Sequence, residues 1–93
     1  MLEKTIENKI KAYLESNGFY YIKVHGSGFM PKGIPDIIAC VNGQFLGIEV
    51  KATGKKKQQS PYQKIHQKMI EKANGRYILV DTVKEVEDYI EKL

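Results

Sequence analysis

The sequence predicts an α/β fold with elements in the order αβββαβα. Three observations carry that prediction. Apolar residues recur at helical spacing in three separate stretches. Aromatic and β-branched runs lie between them. Asn42-Gly43 stands between two of those runs as a hairpin signal, because both turn positions need positive φ.

The first helix is predicted over residues 2–16, where Leu2, Ile6, Ile10, Tyr13 and Leu14 form one apolar stripe. Asn17-Gly18 stops it, with Gly18 suited to a left-handed conformation. Residues 19–25 read as a strand in which Tyr20 and Tyr21 alternate, one to the core and the other outward. Residues 26–35 contain three Gly and two Pro and read as a loop. Two strands follow, Asp36–Val41 and Gln44–Lys51. Both are apolar on each face, so both are expected to be central and covered on either side.

After a basic loop over 52–59, Ser60 and Pro61 suit the N-cap and first position of a helix reaching about Ala73. Ile65, Met69, Ile70 and Ala73 are its expected apolar face, and Asn74-Gly75 ends it. A short strand over 76–80 and an amphipathic helix over 83–92 complete the chain. There is no repeat and no linker, and 93 residues with 42% hydrophobic content fit one packed domain.

No stretch approaches the roughly 18 apolar residues of a membrane span. The N-terminus reads as a polar helix rather than a secretion signal, so a cytoplasmic protein is expected. The single cysteine, Cys40, reads as a small core residue, and no cysteine-based zinc pattern is present. His25 and His66 lack ligand spacing and read as a strand-end and a helix-surface residue. A net charge of +4 is weak support for a nucleic-acid partner, but its placement says more. Lys51, Lys55, Lys56 and Lys57 crowd one short segment, whereas most acidic residues lie toward the two ends.

The hairpin brings chemistry together. With a two-residue turn Val41 pairs with Gln44, and counting outward Asp36 faces Glu49. Directly opposed side chains lie roughly 4.5–5.5 Å apart on one face. Lys51, two residues beyond Glu49, emerges on the same side. Two opposed carboxylates need an offset. A shared proton, the Lys51 ammonium or a divalent cation with oxygen ligands each supply one, and the cation neutralises most completely. A surface ion pair at a strand end is the competing reading.

Pro35-Asp36 followed by Glu49-Val50-Lys51 resembles the PD-(D/E)xK nuclease superfamily. Gly33-Ile34-Pro35-Asp36, Ile48-Glu49-Val50-Lys51-Ala52 and Ser60-Pro61-Tyr62-Gln63 resemble the three landmarks of the VRR-NUC (virus-type replication-repair nuclease) domain. The architecture also resembles that of archaeal-type Holliday-junction resolvases. The resemblance implies a restriction-endonuclease-like core, a central mixed sheet flanked by helices, and metal-dependent hydrolysis of DNA phosphodiesters. Asp36, Glu49 and the Val50 carbonyl would then bind Mg²⁺ or Mn²⁺, and Lys51 would orient the attacking water or stabilise charge on the phosphate.

A glutamate of the first helix would complete the site. Glu7 is the choice, with Glu3 the runner-up. In the family a glutamine at position 63 tends to reach the active site, but Gln63 also completes a Ser-x-x-Gln capping box, and both readings stand. Lys55, Lys56, Lys57 and Lys32 are expected to meet DNA phosphates, and Phe29 or Met30 in the 26–32 loop to touch DNA or a dimer partner. The resemblance further implies a homodimer acting on branched DNA such as Holliday junctions, in a stand-alone form suited to a phage or mobile element. Cleavage of flaps, nicks or linear ends, or DNA binding without catalysis, are the alternatives.

Overall fold

A computed structural model describes all 93 residues. The elements are α1 (Glu3–Ser16), β1 (Tyr20–Lys23), β2 (Ile37–Val41), β3 (Gln44–Val50), a 3₁₀ turn (Lys56–Gln58), α2 (Pro61–Lys72), β4 (Arg76–Val80) and α3 (Val83–Glu91). The expected order αβββαβα is the observed one, with only the 3₁₀ turn added. The strands form one mixed sheet in the order β1-β2-β3-β4. The first three pair antiparallel, and β4 returns through α2 to pair parallel with β3.

The β2–β3 turn forms as its residues require. Asn42 and Gly43 adopt φ of 53° and 79°, and Val41 pairs with Gln44. The register runs without slippage to Ile37 opposite Ile48, which carries Asp36 to the level of Glu49. On one face of the sheet, Ile37, Ala39, Val41, Leu46, Ile48, Val50 and Val80 pack against Ile6, Ile10 and Leu14 of α1 and Val86 and Ile90 of α3. Tyr21 joins the rim of this core and Tyr20 points outward, the expected alternation.

The opposite face departs from expectation. It is covered only in part, because α2 lies over the β3–β4 side. Gly47 makes this approach: a Cβ there would stand 2.9 Å from Pro35 and 3.4 Å from Ile70. Nothing covers the β1–β2 side. Cys40 is therefore exposed instead of buried, in register with exposed Tyr20 and Phe45.

Of the expected apolar face of α2 only Ile70 turns inward, and Ala73 is exposed. Ile65 and Met69 are exposed, and the half-buried inner positions are Gln63, His66, Gln67 and Ile70. Hydrogen bonds take the place of apolar contact there. Gln59 Nε2 donates to Gln67 Oε1 at 2.9 Å and to the Tyr77 hydroxyl at 3.2 Å.

Gly33, with φ +90°, passes so close to the first turn of α2 that a Cβ would lie 2.4 Å from the Tyr62 carbonyl carbon. Gly43 has a similar φ but open space around it. Gly33→Ala is therefore expected to cost about 3 kcal/mol or more, combining left-handed strain with a backbone clash. Gly43→Ala bears the strain alone, about 1–2 kcal/mol. Urea denaturation of the two variants checks the difference.

Candidate active site

The ends of β2 and β3 bring Asp36 and Glu49 together on the α2 side of the sheet. Glu49 is 3% exposed. Each carboxylate spends one oxygen on the protein. Asp36 Oδ2 accepts the Val50 N–H at 2.8 Å. Glu49 Oε1 accepts from Gln63 Nε2 at 3.0 Å. Glu49 Oε2 is buried with no donor.

Burial, and then a hydrogen bond and charge repulsion from Asp36, push the Glu49 carboxyl up to about 9, against a smaller opposing pull from Lys51. At neutral pH the Glu49 carboxyl therefore keeps its proton.

Gln63 does both things its position suggested. Its side-chain oxygen accepts the Ser60 N–H at 2.8 Å while Ser60 Oγ accepts the Gln63 N–H at 3.1 Å, a complete capping box. The same oxygen accepts from Lys51 Nζ at 3.0 Å. Two donors at Oε1 and an acid at Nε2 fix the orientation of the amide. The helix cap thus aims Lys51 and Glu49 at each other's neighbourhood.

Glu7 lies inside, 5% exposed, on the α1 side. It reaches the pair through a residue that sequence reasoning missed. Lys23 Nζ stands 2.7 Å from Glu7 Oε1 and 3.9 Å from Asp36 Oδ1. The signal for Lys23 was available: strand period places it on the core-facing side with Tyr21, where a lysine needs a buried partner. Glu3 remains at the rim and exposed, its carboxyl raised by desolvation and then by Asp36.

No three His, Cys, Asp or Glu side chains converge as a closed metal cage. The donor set still fits a hard divalent cation. Glu49 keeps one oxygen without a donor, and Asp36 Oδ1 has only the distant Lys23 ammonium at 3.9 Å; Mg²⁺ commonly takes one or two carboxylates and keeps several waters.

Among the basic residues, Lys55 and Lys57 are exposed. Lys56 is instead committed to an ion pair with Glu85. Lys32 is exposed and lies 5.5 Å over the Tyr62 ring.

The model of the archaeal Holliday junction resolvase family, Hjc, matches residues 3–88. The chain belongs to this family. Solved structures agree on the fold of this resolvase-family nuclease. One VRR_NUC domain superposes with a TM-score of 0.77 at 23% identity, covering 96% of this chain and 94% of that one. A second VRR_NUC domain protein gives 0.82 at 19% identity, with 98% and 86% covered. The Hjc Holliday junction resolvase of Archaeoglobus fulgidus gives 0.52 at 21% identity, with 82% and 64% covered. No curated protein matches the chain. The family model and these structures together support the PD-(D/E)xK-type nuclease fold that the motifs suggested.

The resolvase-family pair of acids has a pH signature. An unfolded Glu49 titrates near 4.5 and the folded one near 9. Below 4.5 both states hold the proton; between those values only the folded state does. Without divalent ions, stability is expected to fall steadily from pH 5 to pH 9. Asp36→Asn removes the Asp36 contribution but not the burial, so the decline should end at a lower pH without disappearing. Thermal unfolding across this range in EDTA checks both.

Proposed function

We propose that the chain is a divalent-metal-dependent DNA endonuclease that cuts branched DNA as a homodimer. The observation that carries the chemistry is the buried Glu49 carboxyl paired with half-buried Asp36 beside Lys51. Glu49 keeps an oxygen without a donor, and Gln63 orients the lysine. An ion pair at a strand end has no need of a second buried acid, so that reading explains less.

Asp36 and Glu49, with the Val50 carbonyl, would hold Mg²⁺ or Mn²⁺. The bound cation supplies an activated water and offsets charge growing on the phosphate. Lys51, a compact ammonium fixed by Gln63, orients the attacking water toward the phosphorus. Lys23 holds Glu7 against the site and balances acidic charge that would otherwise be buried alone. Lys55, Lys57 and Lys32 supply phosphate contacts, which give affinity with little sequence reading.

The chain carries one such site, and cutting both strands of a junction takes two. The uncovered apolar face supports a second copy. Tyr20, Ile22 and Phe45 on the sheet are exposed side by side, and Phe45 and Met69 line one depression, so the face continues onto Ile65 and Met69 of α2. A two-fold pairing of such faces is the commonest oligomer geometry. Family membership favours a four-way junction over flaps, nicks or ends as the substrate.

A four-way junction, a flap and a linear duplex, each with Mg²⁺ or EDTA, test the reading. Junction cleavage is expected with Mg²⁺ and none in EDTA; cleavage indifferent to EDTA would sink the metal mechanism. Asp36→Ala should abolish cleavage while junction binding persists. Lys51→Ala should lower the rate about 10²–10³-fold. Gln63→Ala should lose both about 10–100-fold in rate and roughly 1 kcal/mol of stability. Ser60→Ala should lose chiefly the stability.

Met69→Lys tests the dimer. Sedimentation should shift from two copies to one, with the circular dichroism spectrum retained. A wild-type protein that sediments as a monomer at assay concentration would refute the pairing.

A further inference from the structure

Phe29 is completely exposed, at 101% relative accessibility, and no other large apolar side chain of the chain exceeds 74%. Single exposed apolar residues are ordinary on protein surfaces. Phe29 differs in having no cover at all and in where it stands. It sits at the tip of the loop joining β1 to β2, whose far end is Asp36 itself.

The loop is anchored at that far end. Gly33 is pressed against the Tyr62 backbone. Its tip stands clear of the body, since Cβ atoms added at Gly26 or Gly28 would meet nothing within 4 Å. Ser27 shapes the tip: its side-chain oxygen accepts the Phe29 N–H at 3.3 Å and its carbonyl accepts the Met30 N–H at 3.1 Å. Ser27, Met30, Lys32 and Asp36 line one pocket of about 280 Å³ beneath the tip. Across it, Lys32 lies over the exposed ring of Tyr62. Lys32 thus shares a pocket with Asp36, and the uncovered Phe29 ring stands on the same loop.

We propose that Phe29 stacks on an unpaired or unstacked base beside the scissile phosphate, and so selects branched DNA over continuous duplex. This rests on the nuclease reading above. An aromatic ring stacks on any base, so it discriminates by the state of the strand and not by its sequence. Extruding a base from an intact duplex costs free energy that a branch point has already lost. A wedge at this position therefore favours junctions without any base-specific hydrogen bond. Lys32 fixes the neighbouring phosphate and sets where along the strand the ring enters.

The test uses a four-way junction with 2-aminopurine at the branch point and a continuous duplex of matching sequence, both in EDTA so that no strand is cut. Wild type should quench the junction probe and bind the junction more tightly than the duplex. Phe29→Ala should lose the quenching and about tenfold in junction affinity. Its preference for the junction should collapse toward one, with an unchanged thermal midpoint because the ring is fully exposed. Phe29→Trp should restore quenching and preference. Unchanged junction affinity and quenching in Phe29→Ala overturns the proposal. So does a shift in its sedimentation, which would assign Phe29 to a contact between copies. If wild type cuts a junction with Mg²⁺ but Phe29→Ala is indifferent, the wedge alone fails. If wild type neither binds nor cuts any DNA, the nuclease reading fails and the wedge with it.

Discussion

A two-residue turn leaves no slack in the pairing of the strands it joins. Asn42 and Gly43 both take positive φ, and the register from Val41–Gln44 to Ile37–Ile48 follows from that one bend. A slip of one residue would send every side chain to the other face. Asp36 and Glu49 meet because of this constraint, at a place where two carboxylates repel and burial raises the cost. The fold meets that cost with a proton kept on Glu49, the Val50 N–H on Asp36 and the Gln63 amide on Glu49. Each device satisfies one charge or one lone pair, and one Glu49 oxygen is left without a donor. A site built this way is stable enough to fold and incomplete enough to bind.

Gln63 joins stability and chemistry in one side chain. Its oxygen serves the helix cap and the lysine together, and its amide nitrogen serves the acid. The start of α2 and the end of β3 are therefore locked to each other through the site. Gly33, passing tight against Tyr62, locks the loop before Asp36 to the same helix turn. Two other segments, the loop before Asp36 and the end of β3, converge on the first turn of α2. That convergence explains why this helix presents polar residues inward: its placement answers to the site before it answers to the core.

Keeping Gln63 directed at the acids turns Ile65 and Met69 outward. With Tyr20, Ile22, Cys40 and Phe45 they form an apolar surface that the chain does not cover by itself. In a domain of this size every apolar residue left outside weakens an already modest core. A partner copy would restore that burial while supplying a second site, so the polar inner face of α2 and the pairing proposed above have a common origin.

What was legible in the sequence was local. The turn, the strand register, the Ser60–Gln63 cap and the opposition of Asp36 to Glu49 depend on bonds and torsions within a few residues, and alternation along a strand is strict. Glu7 could be chosen through the family resemblance, but Lys23, its partner from β1, came only with the packing of α1 on the sheet. Cys40 and the outer stripe of α2 were misread for the same reason. Periodicity tells that a face is apolar; it does not tell which element, or which molecule, covers it. That choice is made between segments distant in the chain, where α2 settles over β3 and β4 and leaves β1 and β2 open, and only the tertiary structure decides it.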